Sequence, residues 1–193
     1  MSSQVAGAVV VDSWAAKSTV RNAVLVVGLT AVTALSAQVS IPLPFTPVPL
    51  TLQTFAVLAG AAALGAERAV LAQVLYLVLA VAGAPVLAGG ASGGATVVGA
   101  TGGYLIGFVV ASYVVGKIAE RGATRKISAT VLAYVAGSAV IYTLGAIWLA
   151  YSTSNSISWA IANGVVPFLI GDAIKAVAAG AVLPAAWKLV DGK

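Results

Sequence analysis

The sequence contains neither cysteine nor histidine in its 193 residues. Without cysteine there is no disulfide and no thiolate metal site. Without histidine the usual general base, the commonest zinc ligand and the usual proton relay are missing, which excludes a Ser–His intramembrane protease. Charge is scarce too. Only 8% of residues are Asp, Glu, Lys or Arg, against roughly 25% in a typical soluble domain. Ten basic and five acidic side chains cannot cover the surface of a chain that is 61% hydrophobic. The composition therefore describes an integral membrane protein and rules out a soluble enzyme, a disordered tail and a nucleic-acid partner. No G-x4-G-K-[ST] loop is present, so the chain carries no nucleotide-binding P-loop. An aspartyl intramembrane protease needs two aspartates in the membrane, and the expected spans hold one. No cluster of metal-ligating residues occurs, and no metal or other cofactor is expected.

Topology follows from where the charges fall. None occurs from Asn22 to Ala66 (45 residues), from Ala69 to Gly116 (48) or from Ile127 to Gly171 (45). About 20 apolar residues cross the hydrocarbon core as a helix, so each run accommodates two crossings joined by an uncharged turn. The expected fold is all-α and polytopic, with six transmembrane helices near Val20–Val39, Leu50–Leu64, Ala69–Ala82, Val98–Gly116, Ile127–Tyr151 and Ala160–Trp187. Hairpins return the chain to one side. That side collects Lys17, Arg21, Arg68, Lys117, Arg121, Arg125, Lys126, Lys188 and Lys193, and the opposite loops carry no Lys or Arg. The positive-inside rule then makes both termini cytoplasmic. Residues 1–19 are expected to form a cytoplasmic segment and 20–190 a six-helix transmembrane domain. The basic excess reports orientation and adds some attraction to anionic lipid headgroups.

Trp148 and Trp159 flank the third outer loop, Ser152–Ser158, and Trp14 and Trp187 lie near the inner side, as indole rings do at membrane interfaces. Ala34-Leu35-Ser36 has some likeness to a signal-peptidase site. The apolar run around it is longer than a signal h-region, so span one is expected to remain. Spans two and three are short: fifteen residues at 1.5 Å rise reach only about 22 Å. Irregular backbone then has to dip into the membrane from the outer side, which is tolerated where it lines a cavity.

Three features have the chemistry of a site. Apart from Arg21 at the start of span one, Asp172 and Lys175 are the only charges inside a span, at i,i+3 on one helix face. An intramembrane charge is by default a site. The pair reads either as a structural ion pair or as one carboxylate and one ammonium for a ligand with both donors and acceptors. Ile41–Leu50, IPLPFTPVPL, holds Pro42, Pro44, Pro47 and Pro49 around Phe45, which forbids helix and favours a stiff extended segment. It is a rigid turn or a lid over an outward pocket, with Thr51 and Gln53 offering polar groups at the mouth of span two. The third feature is the glycine-rich stretch Gly83–Gly107. Gly99-x3-Gly103 and Gly103-x3-Gly107 match helix-packing spacing. Gly89–Gly94 is too irregular for a helix face and suits a cavity wall. Thr101, at a helix start, is placed to bind an anion with backbone N–H groups.

Four ordered blocks, TPVPLTLQTFAVLAGAAALG (Thr46–Gly65), GAPVLAGGASGG (Gly83–Gly94), ATGGYLIGF (Ala100–Phe108) and PFLIGDAIKA (Pro167–Ala176), resemble the BioY family. Members of that family are biotin-specific S components of energy-coupling factor (ECF) vitamin transporters. The resemblance runs over about residues 25–190. It departs from the family at Ala100, where proline is usual.

The resemblance implies no enzymatic activity, but high-affinity binding and uptake of biotin through a pocket near the outer face. Partners would be a transmembrane scaffold protein and two ABC-type ATPases. Asp172 would accept a ureido N–H, and Lys175 would donate to a biotin oxygen, ureido or carboxylate. Gln53, Tyr104 and Asn163 are further polar candidates, with Tyr76 behind them. Gly89, Gly90, Gly102 and Gly103 would admit close approach, and the proline loop would close over the vitamin. Thr30, Ala34 and Ala37 on span one suit packing either against the scaffold or inside the monomer. The competing readings are a carrier driven by an ion gradient through Asp172, without ATPases, and a structural membrane subunit without ligand.

Overall fold

The computed structural model describes residues 9–13 and 18–191. Trp14, Lys17, Lys193 and most of the 1–19 segment lie outside them. Helix α1 (Thr19–Gln38) opens on Ser18, whose hydroxyl oxygen accepts the Arg21 N–H at 3.1 Å and so satisfies one free first-turn donor. It ends just before the prolines. There the chain forms a two-residue antiparallel ladder, β1 (Ser40–Ile41) with β2 (Leu50–Thr51), in which Ser40 faces Thr51 and Ile41 faces Leu50. The proline segment is therefore the loop of a hairpin.

Helices α2 (Gln53–Leu64) and α3 (Ala66–Val81) are separated by Gly65 alone, at φ +85°, a backbone conformation that suits glycine. The start of α3 is capped from a distant helix: Glu120 Oε1 accepts the Ala66 N–H at 2.9 Å. A single turn, α4 (Gly94–Val97), precedes α5 (Gly102–Glu120) and α6 (Ile127–Ser152). Helix α7 (Ile157–Gly164) and helix α8 (Leu169–Asp191) complete the chain.

Several expected boundaries are corrected. Span two starts at Gln53, because Leu50 and Thr51 are taken by the ladder. Span four starts at Gly102, since the chain turns between α4 and α5, with the Gly99 N–H on the Thr96 carbonyl (3.1 Å) and the Gly102 N–H on the Gly99 carbonyl (3.0 Å). Span six is two helices joined by a 3-10 turn at Val166–Phe168, where Pro167 removes a backbone donor. Among the described residues, four stretches are long and apolar enough to cross a membrane: Thr19–Gln38, Gly102–Glu120, Ile127–Ser152 and the broken Ile157–Leu189. Helices α2 and α3 are shorter, at 12 and 16 residues.

The charged junctions gather at one end of the bundle. Asp12 binds Arg21 at 2.7 Å and Arg68 at 2.8 Å. Lys117 pairs with Glu120 at 2.9 Å. Arg125 lies 3.8 Å from the centroid of the Trp187 ring, whose Nε1 donates to Thr124 Oγ1. These contacts join the start of α1, the α2–α3 turn, the α5–α6 turn and the end of α8.

The closest packing is between α5 and α6. A Cβ at Gly103 would collide with Trp148 and the Leu144 carbonyl, and one at Gly107 would meet the Ile141 backbone at 3.0 Å. This is the small-residue packing of membrane helices. Thr30 and Ala37 are buried within the monomer: Thr30 Oγ1 donates to the Ala72 carbonyl of α3 at 2.9 Å. Their burial fits the alternative of packing inside the monomer for those two residues, and Ala34 is half-buried at their edge. The outward face of α1 presents Val20, Val24, Val27 and Leu35, and that of α8 presents Ile170, Ile174 and Val177. Such rows of exposed apolar side chains fit a surface turned to lipid.

Candidate ligand-binding site

The break before α8 decides the depth and charge of the site. By uninterrupted helix, Asp172 would lie far along span six. Instead it lies in the first turn of α8, which begins at Leu169, where the positive end of the helix dipole favours a carboxylate. Asp172 and Lys175 side chains are 7% and 13% exposed and pair at 2.7 Å. Both are saturated to different degrees. Lys175 Nζ donates to Asp172 Oδ1 (2.7 Å), Thr54 Oγ1 (2.7 Å) and the Thr51 carbonyl (2.8 Å), using all three ammonium hydrogens. Asp172 Oδ1 also accepts from Thr54, and Oδ2 accepts from the Tyr142 hydroxyl at 2.6 Å. A carboxylate has about four lone-pair positions, so Oδ2 keeps one for a further donor.

The pair lines a cavity of about 380 Å³. Strand β2 and the start of α2 contribute Thr51, Gln53 and Thr54. Helix α5 supplies Tyr104, Leu105 and Phe108, and α6 supplies Ile141 and Tyr142. The proline hairpin supplies Pro47 to Leu50, and Leu87, Ala88, Ala91 and Thr101 come from the long loop before α5. The space is mostly apolar, with its charge at one place. A second cavity of about 330 Å³, lined by Ser40, Pro42, Leu43, Thr46, Pro47, Pro49, Ala88 and Gly89, shares Pro47, Pro49 and Ala88 with the first.

Among the residues singled out from the sequence, Asp172, Lys175, Thr51, Gln53, Tyr104, Thr101, Pro47 and Pro49 line the main cavity. Tyr104 spends its hydroxyl on the Gly164 carbonyl at 2.8 Å. Tyr76 lies behind the wall: it accepts from Gln53 Nε2 at 2.8 Å and donates to the Val86 carbonyl at 3.1 Å. Pro42 and Gly89 line the outer cavity, whereas Pro44, Phe45 and Gly90 line neither. Phe45 is 54% exposed. Asn163 does not reach the cavity; its amide donates to the Trp159 carbonyl one turn back on α7. Gly102 and Gly103 face Trp148, so the close approach they permit is by an indole. Thr54 and Tyr142 were missed. Thr54 had one signal, its i+3 spacing from Thr51 at the mouth of span two. Tyr142 had none beyond a hydroxyl in an apolar run.

Comparison with known proteins places this geometry. Residues 8–192 match the model of the BioY family. The biotin transporter BioY of Thermotoga maritima is 41% identical over 154 residues, covering 79% of this chain and 88% of that protein. The biotin transporter BioY of Rhodobacter capsulatus is 39% identical over 176 residues, covering 84% of this chain and 90% of that one. Among solved structures, the S component for biotin from an ECF-type ABC transporter superposes with a TM-score of 0.81 at 25% identity, covering 90% of this chain and 95% of its own. The relatives are named as transporters, a transport function and not a catalytic one.

Proposed function

Because the chain belongs to the BioY family, we propose that it is the biotin-binding S component of an ECF transporter in a bacterial plasma membrane. It crosses the membrane six times with both termini inside, counting the short α2 and α3 as crossings. It hands biotin inward by docking on a transmembrane scaffold driven by two ABC-type ATPases. The observation that carries this reading is the buried Asp172–Lys175 pair set in an otherwise apolar cavity.

Biotin has a ureido ring with two N–H donors beside one carbonyl acceptor, an apolar thioether ring and a pentanoate tail. A carboxylate and an ammonium 2.7 Å apart complement the ureido group, donor to acid and acceptor to base. A tail carboxylate at the same place would face Asp172 as a like charge. The ureido N–H goes to the spare lone pair of Asp172 Oδ2, with nothing displaced. The ureido oxygen reaches Lys175 by replacing one present acceptor, and the Thr51 carbonyl is the one on the hairpin. Phe108, Ile141 and Phe168 wall the rings, and the Pro47–Leu50 segment closes above them. Equilibrium binding of labelled biotin to the purified protein in detergent tests the reading. Tight binding without scaffold or ATPases is the expected result, and a well-folded protein that binds none would overturn it.

A further inference from the structure

Lys175 is the one cation lining either cavity among the described residues. The sequence places no Lys or Arg between Arg21 and Arg68, between Arg68 and Lys117, or between Lys126 and Lys175. Apart from Lys175, the described segments that line the two cavities therefore carry no positive side chain. Lys175 is itself committed to Asp172, with three hydrogen bonds in place. Building on the reading above, the ureido group occupies that pair. The pentanoate tail then runs away from it, towards Pro47, Pro49 and Ala88, the residues that line both cavities. The outer cavity is lined by proline, leucine, alanine and glycine carbon and by the hydroxyls of Ser40 and Thr46.

From this we infer that the site recognises a cyclic urea carrying an uncharged tail as well as it recognises free biotin. The tail carboxylate meets no fixed positive charge, and its end faces the outer cavity. Specificity lies at the ring end, and the tail end tolerates esterification or amidation. The substrate class then extends to carboxyl-modified biotin, such as the amide formed when biotin is joined to an amine.

The test is competition against labelled biotin on the purified full-length protein, using biotin, biotin methyl ester and biotinamide. Loss of a charge-assisted hydrogen bond costs about tenfold or more in affinity. Ester and amide are expected to match biotin within about threefold, less than the loss of any such bond. If biotin binds and both neutral forms are weaker by about tenfold or more, the carboxylate has an ionic or charge-assisted partner and the inference is overturned. If a well-folded protein does not bind biotin either, the vitamin reading itself fails, a distinct result. Ala88→Lys supplies a second arm by placing a cation at a residue that lines both cavities. It is expected to create a preference for the free acid over the ester. An Ala88→Lys protein that binds biotin and shows no such preference would place the tail elsewhere and overturn the inference.

Discussion

Lys175 Nζ donates to the Thr51 carbonyl oxygen at 2.8 Å, a bond that ties α8 to the strand closing the proline hairpin. The same ammonium holds Asp172 and Thr54. The charged centre of the cavity and the segment above it are thus joined through one nitrogen. A ligand oxygen that takes the place of the Thr51 carbonyl would exchange a hairpin contact for a ligand contact.

Removing one member of the pair strands the other. Asp172→Asn and Lys175→Met should each abolish measurable biotin binding and destabilise the protein, since an unpaired buried charge costs about 3–5 kcal/mol. The double variant should regain most of the stability and none of the binding. Thermal unfolding in detergent alongside equilibrium binding separates the two effects. A double variant as unstable as the sum of the singles would contradict the pairing.

The neutral partners of the pair should matter nearly as much. Thr54→Val keeps the shape and removes a hydroxyl that both donates to Asp172 and accepts from Lys175. Tyr142→Phe removes the 2.6 Å bond to Oδ2. Hydrogen bonds to charged groups contribute about 1.5–3 kcal/mol, so each variant should bind biotin about tenfold or more weakly. Unchanged affinity in either would show that the ligand-bound state does not use that bond.

Tyr76 acts at one remove. Its hydroxyl links Gln53 on α2 to the Val86 carbonyl in the long loop. Tyr76→Phe takes the acceptor from the buried Gln53 amide and leaves the Val86 carbonyl only the 3.5 Å bond from Gln38 Nε2, at a cost of about 1–3 kcal/mol. The expected signature is a lower unfolding temperature with a smaller change in biotin affinity than Thr54→Val produces. The reverse order would put Tyr76 at the ligand.

Gly103 is a packing residue on this geometry. Gly103→Ala sets a methyl against Trp148 and the Leu144 backbone, and neither contact is the free end of a flexible side chain. Overpacking of this kind costs about 1–3 kcal/mol. A melting curve should show the loss whether or not biotin is added. A variant as stable as the wild type would mean that α5 and α6 lie further apart.

The absence of cysteine makes orientation measurable. Thr46→Cys in the proline loop should react with a membrane-impermeant maleimide applied to intact cells. Ala123→Cys in the α5–α6 turn should react only after permeabilisation. Labelling of the two positions from the same side would refute the six-crossing, termini-inside arrangement.

Much of this was legible before any coordinates. Asp172 and Lys175 stood out because a charge in an apolar run is expensive wherever the helix faces. The prolines of Ile41–Leu50 excluded helix for a reason carried by each ring. Other readings depended on rotation about a helix axis. Helices α6 and α8 have their apolar residues spread around the axis, so no hydrophobic stripe announces that Tyr142 looks inward and Ile174 outward. Asn163 was a fair candidate by chemistry and failed by direction, since its amide turns back on its own helix. Gly102 and Gly103 had two uses open to them, and the position of Trp148 settled which one applies.

By itself the sequence determined the membrane class, the basic junctions, the two charges inside span six and the non-helical proline segment. Each rests on the cost of placing one residue type in one medium or backbone conformation. Only the tertiary structure decided that span six breaks at Val166–Phe168, that Thr54 and Tyr142 complete the pair, and that the space beyond Ala88 holds no cation. Those depend on which atoms from distant parts of the chain come within hydrogen-bond reach, and helix packing sets that distance.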